Sequence, residues 1–599
     1  MLLLAVVITA YIFLFYGAKI WSIHSDALGY YMYLPSTFIY HNHEHLERLP
    51  EDKGIHYLVQ WSVKNIQMKT PKGYTADQYT YGIALMEAPF FFLAHAYEKL
   101  TGGQANGYST SYNIALKLCS LVYALLGLIL LYKILSNYFT ETEAVIGVLL
   151  TFLASNLFYF AVFQAGMSHV PLFFLYGLLI YLTILLHRRP KAGFFWAAGF
   201  TASLITLIRP SDILCLAIPF LYDVYGMETL RKKVSFLRDN IYSVIQFAIA
   251  FVLPIIPQLF YWKRYAGSYF YYSYGTQSFT WKHPHIIDGL FSFSNGWLPY
   301  SPIMAGAVLG VLLYKYFRTW SWCIFFFFPV YIYVIYSWYC YSYVNGFGSR
   351  PMINIYCLLA IPLTAFVHMI SERGHLVKSF LALVCLFFIS INLSFSMQQA
   401  KGMLFSDESS FIYNVDILYK THLNYNDMVV KDVQELQPDT SKITKVYTLR
   451  CDNFDDSISE HYISDVVFGS KYLYHMGTDE YMDGISVKYD RQKCRDAKWF
   501  KCSGRFLYTD PRGYFKHVLV LSNADNSFWK GCKIENKIGD WKHDSDYALE
   551  HNDAYKWGYV YYFAAIPKNL RDGEELKLYI WNTCKTDILV DDLCLEAYK

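Results

Sequence analysis

About eleven stretches of this chain are apolar over a length that approaches or meets a bilayer crossing, a density that few water-soluble folds could bury. They lie near 2–21, 112–133, 143–163, 170–186, 193–208, 211–225, 241–262, 298–317, 321–338, 351–370 and 378–397. A hydrocarbon layer of about 30 Å takes roughly 20 helical residues to cross, so the pattern predicts a polytopic α-helical membrane protein. Composition agrees. Of 599 residues 17% are charged, whereas soluble domains carry roughly 25%. Tyr and Phe, at 56 and 45 copies, suit helix ends at membrane interfaces. A net charge of only +3 gives no reason to expect a nucleic-acid partner.

The opening run MLLLAVVITAYIFLFYGAKIW has no basic leader and no small-residue cleavage site, so it reads as a retained first helix. The stretches flanking Arg209 and Pro210 read as two spans or as one broken helix. Placing Met1 inside puts these basic groups on the cytoplasmic side: Lys133; Arg188, Arg189 and Lys191; Arg231, Lys232, Lys233 and Arg238; Lys315 and Arg318; Arg373 and Lys378. An odd number of spans then sends the C-terminal region outside. Also outside are a long first loop (22–110), the turn before His169, the Arg209–Asp212 segment, and loops at 263–297 and 339–350. Within the first loop, Gly82 and Pro89 interrupt GIALMEAPFFFLAHAYEKL, which predicts helices lying along the interface. An extra span there would invert everything downstream.

The expected domains are a membrane domain, 1–400, and an extracytoplasmic β-domain, 401–599. Beyond 400 the sequence turns to short β-branched and aromatic runs (KHVLVLSN, GYVYYFAAI, LKLYIWN, DILVDDLCLEAY) between Asn, Asp, Gly and Pro turns, the pattern of a β-sandwich. Six cysteines fall in this region (Cys451, Cys494, Cys502, Cys532, Cys584, Cys594), and fifteen disulfide pairings are open to them. Six others lie in or beside apolar stretches. No Cys or His spacing points to zinc.

Polar residues that could do chemistry gather on the outer side. Asp26, in HSDALGYYMYLP directly after the first helix, is either a general base within reach of a hydroxyl or a helix cap. Arg209, Arg350 and the pair Lys263 and Arg264 are cations on the side the charge rule disfavours. An anionic ligand with a lipid tail would satisfy both their charge and their depth; snorkelling, or pairing with Asp212 and Asp288, is the alternative. His169 tops the helix near 170–186 on the same side, as a ligand contact or a structural hydrogen-bonder. Glu87 reads as a buried or a solvated carboxylate. The loop around FSFSNGWLPYSP mixes aromatics with amides, suiting a sugar, a prenyl chain or simple interfacial anchoring.

These segments resemble the GT-C glycosyltransferases, and among them bacterial members related to protein mannosyltransferases and aminoarabinose transferases. HSDALGYY is similar to the acidic first-loop motif, QYTYGIALMEAPFF to the first-loop segment beyond it, and FSFSNGWLPYSP and NGFGSRPMINIYCLLAIP to the Ser-Pro and Gly-Ser-Arg segments of Bacteroidetes-type members. The resemblance covers roughly residues 1–400. It implies inverting transfer of a sugar from a polyprenyl-phosphate donor to a protein or glycan hydroxyl, in a bacterial inner membrane with the β-domain in the periplasm. Asp26 would be the base; Arg350, Arg209, Arg264 and His169 would hold the donor phosphate; Tyr30, Tyr81, Glu87, Asn295 and Tyr343 would contact substrate. Two departures stand out. HSD carries one acidic residue where many relatives have two, so neither a metal nor another cofactor is expected. Gln78-Tyr79-Thr80-Tyr81-Gly82 stands where relatives have Lys-Pro-Pro. The ending YIWNTCKTDILVDDLCLEAY resembles the last strands of a jelly-roll carbohydrate-binding module. A lipid-linked-sugar flippase and a non-catalytic envelope scaffold are the rival classes.

Overall fold

The computed structural model describes residues 2–43, 55–344, 346–455, 461–467, 470–508, 517–538, 557–583 and 585–599. The chain forms two compact units, Met1–Ser396 and Met397–Lys599.

Among the described residues of the first unit, six helices are long and apolar enough to cross a membrane by length and composition: Thr110–Leu135, His169–Arg188, Ile241–Tyr265, Arg318–Tyr336, Arg350–Ser371 and His375–Ala400, the last running into the second unit. The other five expected stretches are shorter or broken, each with a local reason. Leu2–Phe15 gives way to a short 3-10 turn at Gly17–Lys19. Glu141–Leu153, opened by a Thr140–Glu143 capping box, is separated from Leu157–Val162 by a break at 154–156. Pro210 disfavours the α conformation at Arg209, which is extended (φ −136°, ψ 107°). The helix Ala192–Ile208 therefore stops, and a 3-10 turn, Pro210–Leu216, follows. The stretch at 298–317 is cut beside Pro302 into Trp297–Tyr300 and Met304–Tyr316.

Burial sorts the long helices. His169–Arg188 and Arg350–Ser371 are 78% and 83% enclosed by the protein, whereas Ile241–Tyr265 and His375–Ala400 are only 11% and 6% enclosed. Apolar side chains such as Leu376, Phe380, Leu383 and Leu386 are exposed along the last of these, a surface that lipid can cover and water cannot without cost.

Within the expected first loop, Ser25–Tyr31 and Tyr57–Ile66 are helical, and Gln67–Lys69 pairs with Thr75–Asp77. Gly82 and Pro89 do not interrupt the segment after them. Gly82–Thr101 is one 20-residue helix that starts at Gly82 and contains Pro89. A Cβ at Gly82 would lie 2.8 Å from the backbone nitrogen of Ile208, so glycine is what lets this helix start against the end of Ala192–Ile208. Pro89 forfeits one backbone hydrogen bond without breaking the helix.

The second unit holds two antiparallel sheets. In the larger, the strand order is Gly558–Ala565, Trp499–Tyr508, Ile588–Tyr598, Ser470–His475, Tyr462–Val467, and Lys445–Asp452 also pairs with Ile588–Tyr598. The smaller runs Ile485–Lys488, Glu575–Asn582, His517–Asn523, Trp529–Lys533. Alternate residues point inward, as the period of two requires. Phe500, Phe506, Val560, Val590 and Leu595 of the first sheet share a core with Leu519, Leu521, Leu576, Leu578 and Ile580 of the second. A disulfide joins the directly paired Cys451 and Cys594, 143 residues apart. Cys494, Cys502 and Cys532 are free and buried, and Cys584 lies outside the described residues.

Two predictions follow from this unit's covalent and ionic ties. Closing so long a loop is worth about 2–5 kcal/mol, so reduction, or Cys451→Ser with Cys594→Ser, lowers the thermal midpoint of the β-unit by several degrees in differential scanning of the full chain. Burial pushes the Glu408 carboxyl up, but Lys431 (2.9 Å) and Lys533 (2.7 Å) outweigh it and hold it down to about 2. A carboxyl depressed on folding adds stability above its unfolded value near 4.5, and that gain is lost as pH falls toward 2. Glu408→Gln flattens the acid limb of the unfolding profile between those values.

Candidate active site

Asp26 sits in the first turn of Ser25–Tyr31, behind an extended His24 whose side chain caps nothing. Its carboxylate does not cap the helix either. The Tyr79 hydroxyl donates to Oδ1 at 2.8 Å and Arg350 Nη2 donates to Oδ2 at 2.8 Å. Burial and then the Asp26 charge push the Tyr79 phenol well above its usual range, so it stays a proton donor. The Asp26 side chain is 30% exposed and that of Arg350 11%.

The Gly-Ser-Arg turn explains how Arg350 reaches this partner. Gly348 has φ +62°, and a Cβ on it would lie 2.7 Å from the Tyr300 Cβ. Its N–H donates to Asn295 Oδ1 (3.1 Å), and the Tyr336 hydroxyl donates to Ser349 Oγ (2.9 Å). The turn is thus fixed from both sides before the chain enters Arg350–Ser371. Asn295 acts here by holding the backbone; it does not line the cavity.

A cavity of about 730 Å³ in the helical unit is lined by Asp26, Tyr30, His169, Arg209, Tyr343 and Arg350, with Tyr79 and aromatic groups that include Tyr274 and Trp338. The Tyr343 ring has the Arg209 guanidinium 5.6 Å from its centroid and that of Arg350 5.8 Å away. Among the described residues Arg209 forms no ion pair, and Arg350 Nε is buried without a hydrogen-bond partner. Asp212, a candidate partner for an arginine, instead accepts from Asn354 Nδ2 at 2.9 Å. Asp288 lies 3.9 Å from His285. Among the described residues, two guanidinium groups and one carboxylate thus line the cavity, and the charge of the buried Asp212 also acts on Arg209.

The other sequence-marked residues lie apart from this cavity's lining. The Arg264 backbone carbonyl accepts from Lys72 Nζ (3.0 Å), and its guanidinium lies over Tyr265. The Tyr81 hydroxyl donates to the Pro254 carbonyl. Glu87 is buried in Gly82–Thr101, where desolvation pushes its carboxyl well above the usual range. Tyr79 and Asn354 escaped sequence reasoning. Tyr79 stands in the segment that departs from the Lys-Pro-Pro pattern, the only signal available, and nothing local marks Asn354. Among the described residues no three or more His, Cys, Asp or Glu side chains gather as a metal-holding group.

No family model matches the sequence, and no curated protein matches it. Among solved structures, the chain is similar to the oligosaccharyltransferase of Archaeoglobus fulgidus (13% identity, 73% of this chain and 56% of that one, TM-score 0.35). It is also similar to an arabinosyltransferase from Mycobacterium smegmatis (10% identity, 82% of this chain and 58% of that one, TM-score 0.29). A third likeness is to the CBM22-1 xylan-binding domain from Paenibacillus barcinonensis (11% identity, 26% of this chain and 97% of that one, TM-score 0.17). The chain spans a little over half the length of the two transferases.

Gly348→Ala must distort the turn or displace Tyr300. The expected cost is about 1–3 kcal/mol, read as a lower thermal midpoint of the full chain, with a larger loss than a Gly→Ala change at open Gly374.

Proposed function

We propose that this protein is a membrane glycosyltransferase of the GT-C kind, moving a sugar from a polyprenyl-phosphate donor to a hydroxyl of a protein or glycan. The observation that carries the reading is the shared cavity in which one partly exposed carboxylate meets two guanidinium groups, one of them without an ion pair among the described residues. The phosphodiester of such a donor brings a negative charge to these guanidinium groups, and the exposed apolar helices of this unit suit its lipid tail.

In the resting arrangement Arg350 is bound to Asp26. A donor phosphate competes for that guanidinium and is held by Arg209 as well, which frees Asp26 Oδ2. The acceptor hydroxyl gives its proton to Asp26 as its oxygen bonds to the anomeric carbon. The bond from that carbon to the phosphate oxygen breaks on the opposite face, with inversion. The electron pair leaves with the phosphate, whose growing charge Arg209 and Arg350 stabilise. Tyr79 holds Oδ1 and so directs Oδ2 toward the acceptor. The scheme assigns no step to a divalent cation; among the described residues the Asp26 carboxylate is engaged by a phenol and a guanidinium. The reading places the cavity on the extracytoplasmic side of a bacterial inner membrane and assigns acceptor binding to the C-terminal unit.

Asp26→Asn is expected to lower transfer about 10²–10⁴-fold while expression and donor binding persist, measured with labelled polyprenyl-phosphate sugar and purified protein. Turnover like that of the wild type would remove Asp26 from the mechanism. In proteoliposomes, movement of the donor across the bilayer without transfer would identify a flippase, and neither activity a scaffold.

A further inference from the structure

His169 opens the helix His169–Arg188 and lines the same cavity as Arg209 and Arg350. It is 1% exposed, with its ring edge-on to Phe160 and Nδ1 3.1 Å from Asn354 Oδ1. The placement of its proton follows from a backbone carbonyl two contacts away. The Pro351 carbonyl can only accept, so the Tyr331 hydroxyl 2.9 Å from it is the donor. The Tyr331 oxygen is then free to accept, and the Asn354 atom 3.1 Å from it is the amide nitrogen. The same nitrogen lies 2.9 Å from Asp212 Oδ2, a second acceptor. The Asn354 oxygen must therefore point at His169, whose Nδ1 carries the hydrogen and whose Nε2 keeps its lone pair. A proton on Nε2 as well would put a third cation in the cavity that already holds two guanidinium groups.

We infer that His169 is a hydroxyl-binding residue and not a phosphate ligand: its Nε2 accepts a hydrogen bond from a substrate hydroxyl, with Asn354, Tyr331 and Asp212 as positioning residues. A phosphate oxygen brings only lone pairs to an atom that already presents one, whereas Arg209 and Arg350 offer the donors it needs. The inference rests on the glycosyl-transfer reading above. The hydroxyl belongs to the transferred sugar or to the acceptor.

Sugar-free undecaprenyl phosphate, titrated into the purified full-length protein, separates the two roles. His169→Phe should bind it within about threefold of wild type, while Arg209→Gln loses about tenfold or more. An equal loss in both variants makes His169 a phosphate ligand and overturns the inference. Failure of the wild type to bind this lipid would count against the donor reading instead, and the tautomer is read independently of it. In 15N-histidine-labelled protein, with His169→Phe used to assign the signal, the wild type should show a neutral ring protonated on Nδ1, and Asn354→Leu should lose that preference. An imidazolium, or a ring protonated on Nε2, overturns the inference. In the transfer assay His169→Phe raises the KM for the donor if the sugar supplies the hydroxyl and for the acceptor if the acceptor does. Unchanged KM for both is the third overturning result.

Discussion

A single ion pair ties together parts of the chain 324 residues apart. Arg350 and Asp26, 2.8 Å from one another, fix the start of the first loop against the entry to the helix Arg350–Ser371. Asp26 lies on a seven-residue helix too short to be stable by itself, and Arg350 follows a turn that glycine alone can make. Removing one partner of a fully buried pair costs about 3–5 kcal/mol; the partial exposure of Asp26 lowers that figure and also gives a reactant access to the carboxylate.

The helices around this pair divide the work of solvation. Arg350–Ser371 and His169–Arg188 are mostly enclosed and supply cavity residues at their first positions. Ile241–Tyr265 and His375–Ala400 present apolar sides outward. Polar groups thus collect at the ends of the enclosed helices. Their neighbours there are aromatic, so a charge meets few competing water molecules and acts at greater strength than it would in the open.

The amount legible in sequence followed the range of the interactions involved. Apolar stretches and period-two strands are local patterns, so the long helices and the antiparallel strands that follow them leave marks in sequence. Breaks beside Pro210 and Pro302 also have local causes, but how far each shortens a helix depends on packing, and five of the expected crossings were shorter or interrupted. Pro89 went the other way, because its helix keeps its other bonds and its neighbours on both sides. Asp26, Arg209, His169 and Arg350 stood out by residue type and expected side of the membrane, Tyr30 and Tyr343 through the family resemblance, and all six line one cavity. Arg264 and Glu87, noted from the residues, and Tyr81 and Asn295, implied by the resemblance, do not line it. The Tyr79–Asp26 and Asn354–His169 contacts cross 53 and 185 residues and leave no trace in any window of sequence.

The disulfide between the first and last strands of the β-unit also shapes how this protein would behave under attack. Everything from 452 to 593 becomes a covalently closed ring. One protease cut within that ring would open it without releasing a fragment, so the chain would migrate as a single species until reductant split it in two. Damage of that kind would be invisible to size alone, and the paired strands Lys445–Asp452 and Ile588–Tyr598 of the larger sheet would stay tethered after the backbone between them had been severed.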